Sequence, residues 1–399
     1  MQTPETALKL LLEHAFPSER TQTCSLPDAL GRVLAEDVVS PMSVPPFDRS
    51  PLDGYALKSV DIEGATKEKP ACLRVIGEAD AGCTAHFTVA SGEALRIMTG
   101  APVPESCDCV IRQEDTDEGM ETVRIFASVR SGMNIVRAGE DVQKGALILK
   151  AGTRLNSAAL GVLSSLGCTG VKVFDAPRVL LVCTGDELVQ PGEALEYGKI
   201  YDSSRTNLTA RMRELGCEVM AVPSLPDDPA CVAQAIEKAL PDVDIVVTTG
   251  GVSVGKKDIM HQVLPLLGAE RLFWKVAMKP GSPLLCATVQ EKLVICLSGN
   301  PFAALAGFEL FAKPVLQVIS GCTEPVNRRM QAVLRGSFRK GSPQRRMIRG
   351  TVWAGEVSAT PGMQTNGALS AMIGCNCLID IPAGSGPLEE GSLVDVIVL

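Results

Sequence analysis

The spacing of apolar residues changes character several times along the chain. From Pro4 to Ala15 (PETALKLLLEHA) they recur at helical intervals, and Thr3 ahead of Pro4 predicts an N-cap with proline at the first helical position. SLPDALGRVLAEDVVS reads as a short helix and a strand; MSVPPFDRSPLDGYA, dense in proline and polar turn formers, reads as a loop. Between 57 and 140 the apolar residues come in short runs (CLRVIGEA, ALRIMTGA, CVIRQED) broken by Gly and Pro, which predicts a compact all-β module. NSAALGVLSSLG then predicts a helix capped by Asn156 and closed by Gly167.

At Pro177 the style changes. RVLLVC, VDIVVTTGG and KLVICLSG are apolar throughout rather than alternating, and they are interleaved with helical stretches such as PACVAQAIEKAL and PFAALAGFELFAKPVLQVI. Such strands signal a parallel sheet covered on both faces by helices, a three-layer α/β domain. From about residue 325 short strands with glycine turns return, and a small β-barrel or sandwich is expected.

Length and composition bound what this pattern can do. With 399 residues, 46% apolar and 21% charged, the chain has material for roughly two to four cores. No apolar run is read as long enough to span a bilayer, and the N-terminus lacks a basic segment followed by an apolar one, so a cytoplasmic, non-membrane protein is expected. The 14 cysteines are scattered without a C-x-x-C, several of them inside apolar runs, which predicts reduced buried thiols. Three histidines make a histidine-based metal site improbable and favour a hard, oxygen-ligated cation such as Mg²⁺. The net charge of −8 argues against nucleic acid, and an anionic substrate would need a local cluster of cations.

Ligands of an open parallel sheet bind beyond the carboxyl ends of its strands. Four loops leave those ends: TGDEL with Asp186 and Glu187, SLPDD with Asp227 and Asp228, TTGGVSVGKKD (248–258), and LSGNPFAA with Asn300 and Pro301. In the third, Gly250, Gly251, Ser253 and Gly255 suit close approach of a phosphate to backbone amides ahead of a helix start. The acidic loop ends, with Asp258, suit a metal or hydroxyl groups. Lys256, Lys257, Lys275 and Lys279 supply the positive charge that the overall balance lacks. A Walker-type phosphate loop is excluded by spacing.

Taken in order, PPFDRSPLDGYA, MTGAPVPESCDCVI, VRAGEDVQKG, CTGDEL, TTGGVSVGKKD, KVAMKPGSPL, LSGNPFAALAGFE and GALSAM span nearly the whole chain. In them the chain resembles the molybdopterin molybdenumtransferase (MoeA) family, which includes the E domain of gephyrin. The resemblance implies a homodimer whose subunits have four subdomains: 1–45 together with 141–176, a discontinuous linker and dimerisation unit; 46–140, β-rich; 177–323, the α/β molybdopterin-binding unit; and 324–399, a small β-barrel-like unit. It implies insertion of molybdate into adenylylated molybdopterin with Mg²⁺-dependent release of AMP. Molybdopterin adenylyltransferase and acceptor molybdoenzymes are the implied protein partners.

Carried over by motif, Glu187, Asp53 and Asp258 are expected to be catalytic, and Asp141, Asp186, Glu187 and Asp228 to hold metal. Thr99, Arg137, Lys275 and Lys279, with Arg345, Arg349 and Ser370 near the C-terminus, join Gly250, Gly251, Ser253, Gly255, Asn300 and Pro301 as substrate-binding candidates. The chain departs from the family at Ser282, where a lysine is usual, at Ser298 for proline and at Arg49 for asparagine. The lost charge at Ser282 keeps a tungstate-handling paralogue open as an alternative, beside a non-catalytic dimeric scaffold. An adenylyltransferase would have no use for the LDGYA and VRAGED loops.

Overall fold

The computed structural model describes residues 1–82, 84–252, 258–325, 327–339, 341–361, 365 and 367–399. Its contacts group the chain into two compact units: Met1–Glu36, Ala151–Ser157 and Gly170–Leu399 form one, Asp37–Lys150 and Ala158–Thr169 the other.

The first unit is built on a six-stranded sheet: β1 (Arg178–Cys183), β2 (Glu218–Ala221), β3 (Ile245–Thr249), β4 (Glu270–Trp274), β5 (Leu285–Val289) and β6 (Lys292–Leu297), in the order β2-β1-β3-β6-β5-β4. Both faces of the central strands are buried. Val179, Leu181 and Cys183 pack with Leu208 and Met212 of the Ser203–Glu214 helix and with the Pro301–Ile319 helix, whereas Leu180 and Val182 face the Pro229–Ala239 and Met260–Leu266 helices. This two-sided cover is why the strands read as unbroken apolar runs. The sheet is mixed, however: β2, β1, β3 and β6 are parallel, but β5 runs antiparallel to β6. Gln290 and Glu291 join β5 to β6, both at positive φ (49° and 64°), as a two-residue hairpin turn requires. Neither residue is the glycine or asparagine that would announce that turn.

The Pro301–Ile319 helix is long and apolar enough to cross a membrane by length and composition, contrary to the reading of the sequence alone; here it is a core helix, almost entirely buried. At its middle the Lys313 N–H reaches back five residues to the Phe308 carbonyl, a π-turn next to Pro314, whose ring nitrogen has no proton for the regular ladder. Glu309 in this turn is 1% exposed. Both its oxygens are engaged: Arg211 of the Ser203–Glu214 helix donates from two nitrogens, and Lys313 Nζ donates at 2.9 Å.

After this helix the chain forms a closed five-stranded barrel. Its strands are Arg329–Arg335, Arg345–Trp353, Glu356–Ala359, Cys377–Ile381 and Leu393–Val398, closed by pairing of Arg345–Trp353 with Cys377–Ile381. At the other terminus the Pro4–Leu12 helix has Thr3 as its N-cap, accepting from the Thr6 N–H at 3.2 Å, as its sequence predicts.

The second unit contains a five-stranded sheet in the order Cys109–Arg112, Gly54–Leu57, Glu93–Ile97, Ala71–Ala79, Thr122–Ile125, the β module expected from the short runs. Across both units every described cysteine is a free thiol. Burial pushes Cys107, Cys109, Cys217, Cys296 and Cys377 up to about 12, which keeps them protonated and inert.

Removing the Glu309 carboxylate would strand Arg211 and Lys313 in the core. Glu309→Ala is expected to lower the unfolding free energy by about 3–5 kcal/mol. Glu214→Ala, at the exposed end of the same arginine, should change it by under about 1 kcal/mol. Denaturant midpoints of the two variants check the contrast.

Candidate active site at the carboxyl ends of the strands

The strand order places β2 and β3 on opposite sides of β1, so the chain leaving β1 and β3 turns to opposite faces of the sheet, the arrangement whose crevice takes ligands in open α/β sheets. Backbone bonds draw four loops to this point. Thr184 N–H donates to the Thr249 carbonyl (2.9 Å), Gly185 N–H to Leu225 (3.1 Å) and Gly250 N–H to Leu297 (3.3 Å). The Thr249 hydroxyl donates to the Ser298 carbonyl at 2.8 Å.

Gly250 is the centre of the cluster. Its φ is +100°, and a Cβ there would lie 2.2 Å from the Thr184 carbonyl oxygen. A Cβ on Gly299 would sit 3.4 Å from the Gly250 Cα. Gly251, at φ +62°, has Ile259 where its own Cβ would crowd at 2.7 Å. Only residues without side chains allow the ends of β1, β3 and β6 to approach this closely.

The acidic groups of the first two loops are engaged to different degrees. Asp186 accepts from the Asp227 N–H at 3.0 Å, tying the two loops together. Asp228 is the N-cap of the Pro229–Ala239 helix and accepts from the Ala230 N–H at 2.9 Å. Glu187 is exposed, and its carboxylate lies over Gly185, where an added Cβ would be 2.7 Å from its oxygen. Among the described residues no three carboxylate, imidazole or thiol groups converge into a ready-made metal site. What the crevice offers a hard cation is the exposed adjacent pair Asp186 and Glu187.

Asn300 stands at the N-cap of the Pro301–Ile319 helix but makes no side-chain capping bond, leaving its exposed amide at the mouth of the loop. Asp258 is half-buried, and burial raises its proton affinity, although the nearby His261 and Lys275 charges pull the other way. Lys275 Nζ lies 4.1 Å from the centre of the Trp274 ring. Lys279 is exposed beside Gly281.

The C-terminal candidates differ sharply from one another. Ser370 is exposed. Arg345 is committed to Asp380 through two nitrogens and to Glu5. Arg349 is fully buried; it donates to the carbonyls of Thr365 (2.9 Å) and Ala368 and stacks 4.2 Å from the Phe302 ring. The structure thus gives both arginines bracing work inside the unit. Ser253 and Gly255, with Lys256 and Lys257, lie outside the described residues.

In the second unit Asp53 accepts both the N–H and the hydroxyl of Thr99 at 2.7 Å. These two bonds hold the Asp53 carboxyl below the ordinary carboxylate range. Arg137 pairs with Asp48, whose other oxygen accepts from the Ala138 N–H at 2.8 Å. Asp141 is exposed, its N–H bonded to the Val44 carbonyl.

Several residues went unremarked in the sequence. Thr184 and Gly299 make the strand-end contacts above. Asp202, 1% exposed, caps the Ser203–Glu214 helix and accepts from the Ser224 hydroxyl at 2.7 Å, bracing the loop that follows β1. His261 and Trp274 flank Asp258 and Lys275. Thr184 and Gly299 belong to noticed motifs; nothing local marks His261 or Trp274.

Comparison with known proteins supplies what geometry alone does not. Residues 2–167 match the family described as "MoeA N-terminal region (domain I and II)", residues 180–318 the "Probable molybdopterin binding domain", and residues 331–399 the "MoeA C-terminal region (domain IV)". The chain is 38% identical over 379 residues to the molybdopterin molybdenumtransferase of Staphylococcus aureus strain COL, covering 94% of this chain and 90% of that one. This chain belongs to the MoeA family. A Staphylococcus epidermidis molybdopterin molybdenumtransferase is 36% identical over 377 residues, with the same coverage of 94% and 90%. A crystal structure of the molybdopterin biosynthesis MoeA protein from Pyrococcus horikoshii OT3 superposes with a TM-score of 0.88, at 30% identity and with both chains fully covered. At Ser298, where the family usually has proline, the bond from Thr249 uses the backbone carbonyl, which a proline would offer equally.

Asp53 yields a direct test of the second unit. A carboxylate with depressed proton affinity contributes stability above its unfolded-state pKa and loses it as pH falls through the lower folded-state value. Asp53 should therefore titrate below an ordinary aspartate. Thr99→Ala should raise its midpoint only part of the way, because the Thr99 N–H remains. Carboxyl NMR titration of both proteins is the check.

Proposed function

We propose that the chain inserts molybdenum into molybdopterin, taking adenylylated molybdopterin and molybdate and releasing AMP with Mg²⁺, as a homodimer. The observation that carries this reading is the meeting of the β1, β3 and β6 loop ends around Gly250, within a chain of the MoeA family. A crevice walled by glycine backbone presents amides to a phosphate without side chains in the way. Asn300 adds an uncommitted amide at its rim.

Asp186 and Glu187 are the residues that would hold Mg²⁺. The ion would supply neutralisation of the pyrophosphate and of the charge developing on departing AMP. Glu187 is the catalytic carboxylate of this proposal: it is exposed over Gly185, whereas Asp228 spends an oxygen on its helix. Asp258, whose proton affinity is raised by burial, holds a proton more readily than an exposed aspartate does. Lys275 and Lys279 offer the molybdate oxyanion positive charge that the net −8 of the chain withholds elsewhere. Ser282, in place of the family's usual lysine, leaves a hydroxyl as the donor there.

The purified protein, incubated with adenylylated molybdopterin, Mg²⁺ and molybdate, should release AMP and yield pterin that activates an apo-molybdoenzyme. Release with tungstate but not molybdate would favour the tungstate-handling paralogue; release with neither would end the transferase reading. Glu187→Ala is expected to lower turnover by at least roughly 100-fold. Its melting temperature should stay unchanged, because the side chain is exposed. Gly250→Ala, which drives a methyl into the Thr184 carbonyl, should lose both activity and several degrees of stability.

A further inference from the structure

Lys275 is held in an unusual way for a surface cation. Its backbone is left-handed (φ 70°), a conformation costly for a residue with a side chain. Both its peptide groups are fastened: its N–H donates to the Leu284 carbonyl at 2.9 Å, and its carbonyl accepts from the Gln2 N–H at 3.0 Å. This folds the side chain back so that Nζ lies 4.1 Å from the centre of the Trp274 ring. Among the described residues no carboxylate lies within ion-pair distance of Nζ. The indole is itself braced: His261 meets it edge-to-face, with ring centres 4.6 Å apart at 83°. Among the described residues Trp274 Nε1 and His261 Nε2 are buried without a hydrogen-bond partner, so packing rather than a bond at these atoms sets the two rings together.

A lysine meant to receive an oxyanion faces a conflict. A carboxylate would hold it in place but would also neutralise it and occupy its donors. An aromatic face holds an ammonium through the ring quadrupole and carries no net charge. We propose that Trp274, braced by His261, is a positioning residue that seats the Lys275 ammonium with its charge and outward N–H donors free for the oxyanion substrate. This rests on the reading of Lys275 as an oxyanion ligand.

The test uses full-length protein with molybdate alone as the probe in calorimetry, followed by steady-state assays. Trp274→Leu is expected to weaken molybdate binding, and to raise its KM, by roughly 3- to 30-fold, the range of a partly desolvated cation–π contact. kcat should hold within about twofold, since uniform binding is what is lost. Trp274→Phe, which keeps an aromatic face, should restore most of the affinity, a rescue that a packing role would not favour over leucine. In a Lys275→Gln background Trp274→Leu should add nothing further.

Unchanged affinity in Trp274→Leu, alongside loss in Lys275→Gln, would overturn the positioning role and leave the proposed function standing. Unchanged affinity in Lys275→Gln would remove the oxyanion reading of Lys275 itself. If the leucine variant does not fold, the Trp353→Phe protein, with Trp274 as its one remaining tryptophan, supplies a second readout. Lys275→Gln in that background should alter Trp274 emission, and no change would reject the contact.

Discussion

The structure depends on how closely three strand ends can approach. β1, β3 and β6 are adjacent and parallel, and their loops meet where Gly250 lies against the Thr184 carbonyl and beside Gly299. At a Cβ-to-oxygen separation of 2.2 Å there is no room for a methyl group at position 250. The meeting point is therefore lined by backbone, on a scaffold whose strands are buried on both faces. A rigid sheet with glycine edges suits a ligand whose charge is concentrated in phosphates.

The loop after β6 is fastened from behind. It runs into the Pro301–Ile319 helix, whose π-turn brings Glu309 and Lys313 together against Arg211 in the core. On the same helix Phe302 carries the buried Arg349 guanidinium of the barrel. A helix that could by composition alone be taken for a membrane span is thereby locked between sheet and barrel. Its ionic cluster ties a neighbouring helix to the element that begins at Asn300.

Charge is distributed to the same end. Much of the basic inventory is spent internally: Arg345 on Asp380 and Glu5, Arg349 on loop carbonyls, Arg211 on Glu309. Lys275 is treated differently, resting on an aromatic face rather than on a carboxylate. In a chain with a net charge of −8, a cation seated without an ion-pair partner among the described residues is a local exception.

The sequence by itself determined the layered α/β unit, because strands covered on both faces must be apolar at every position. The same covering predicted inert thiols, and the order of loop motifs was enough to place the chain in the MoeA family. Glycines at the third loop were read as room for a phosphate; what Gly250 meets in the fold is the Thr184 carbonyl, a contact no local pattern announces. Tertiary structure alone decided the rest. The β5–β6 hairpin turns through Gln290 and Glu291, which carry no turn signature, so the antiparallel edge was invisible. Arg345 and Arg349 read alike as cations near the C-terminus, and only the fold shows that they meet Glu5, 340 residues away, and Thr365, 16 residues away. Local spacing encodes which face of an element is buried. It does not encode which distant group meets a given side chain, and that pairing separates arginines held by carboxylates and carbonyls from a lysine that rests on an aromatic ring.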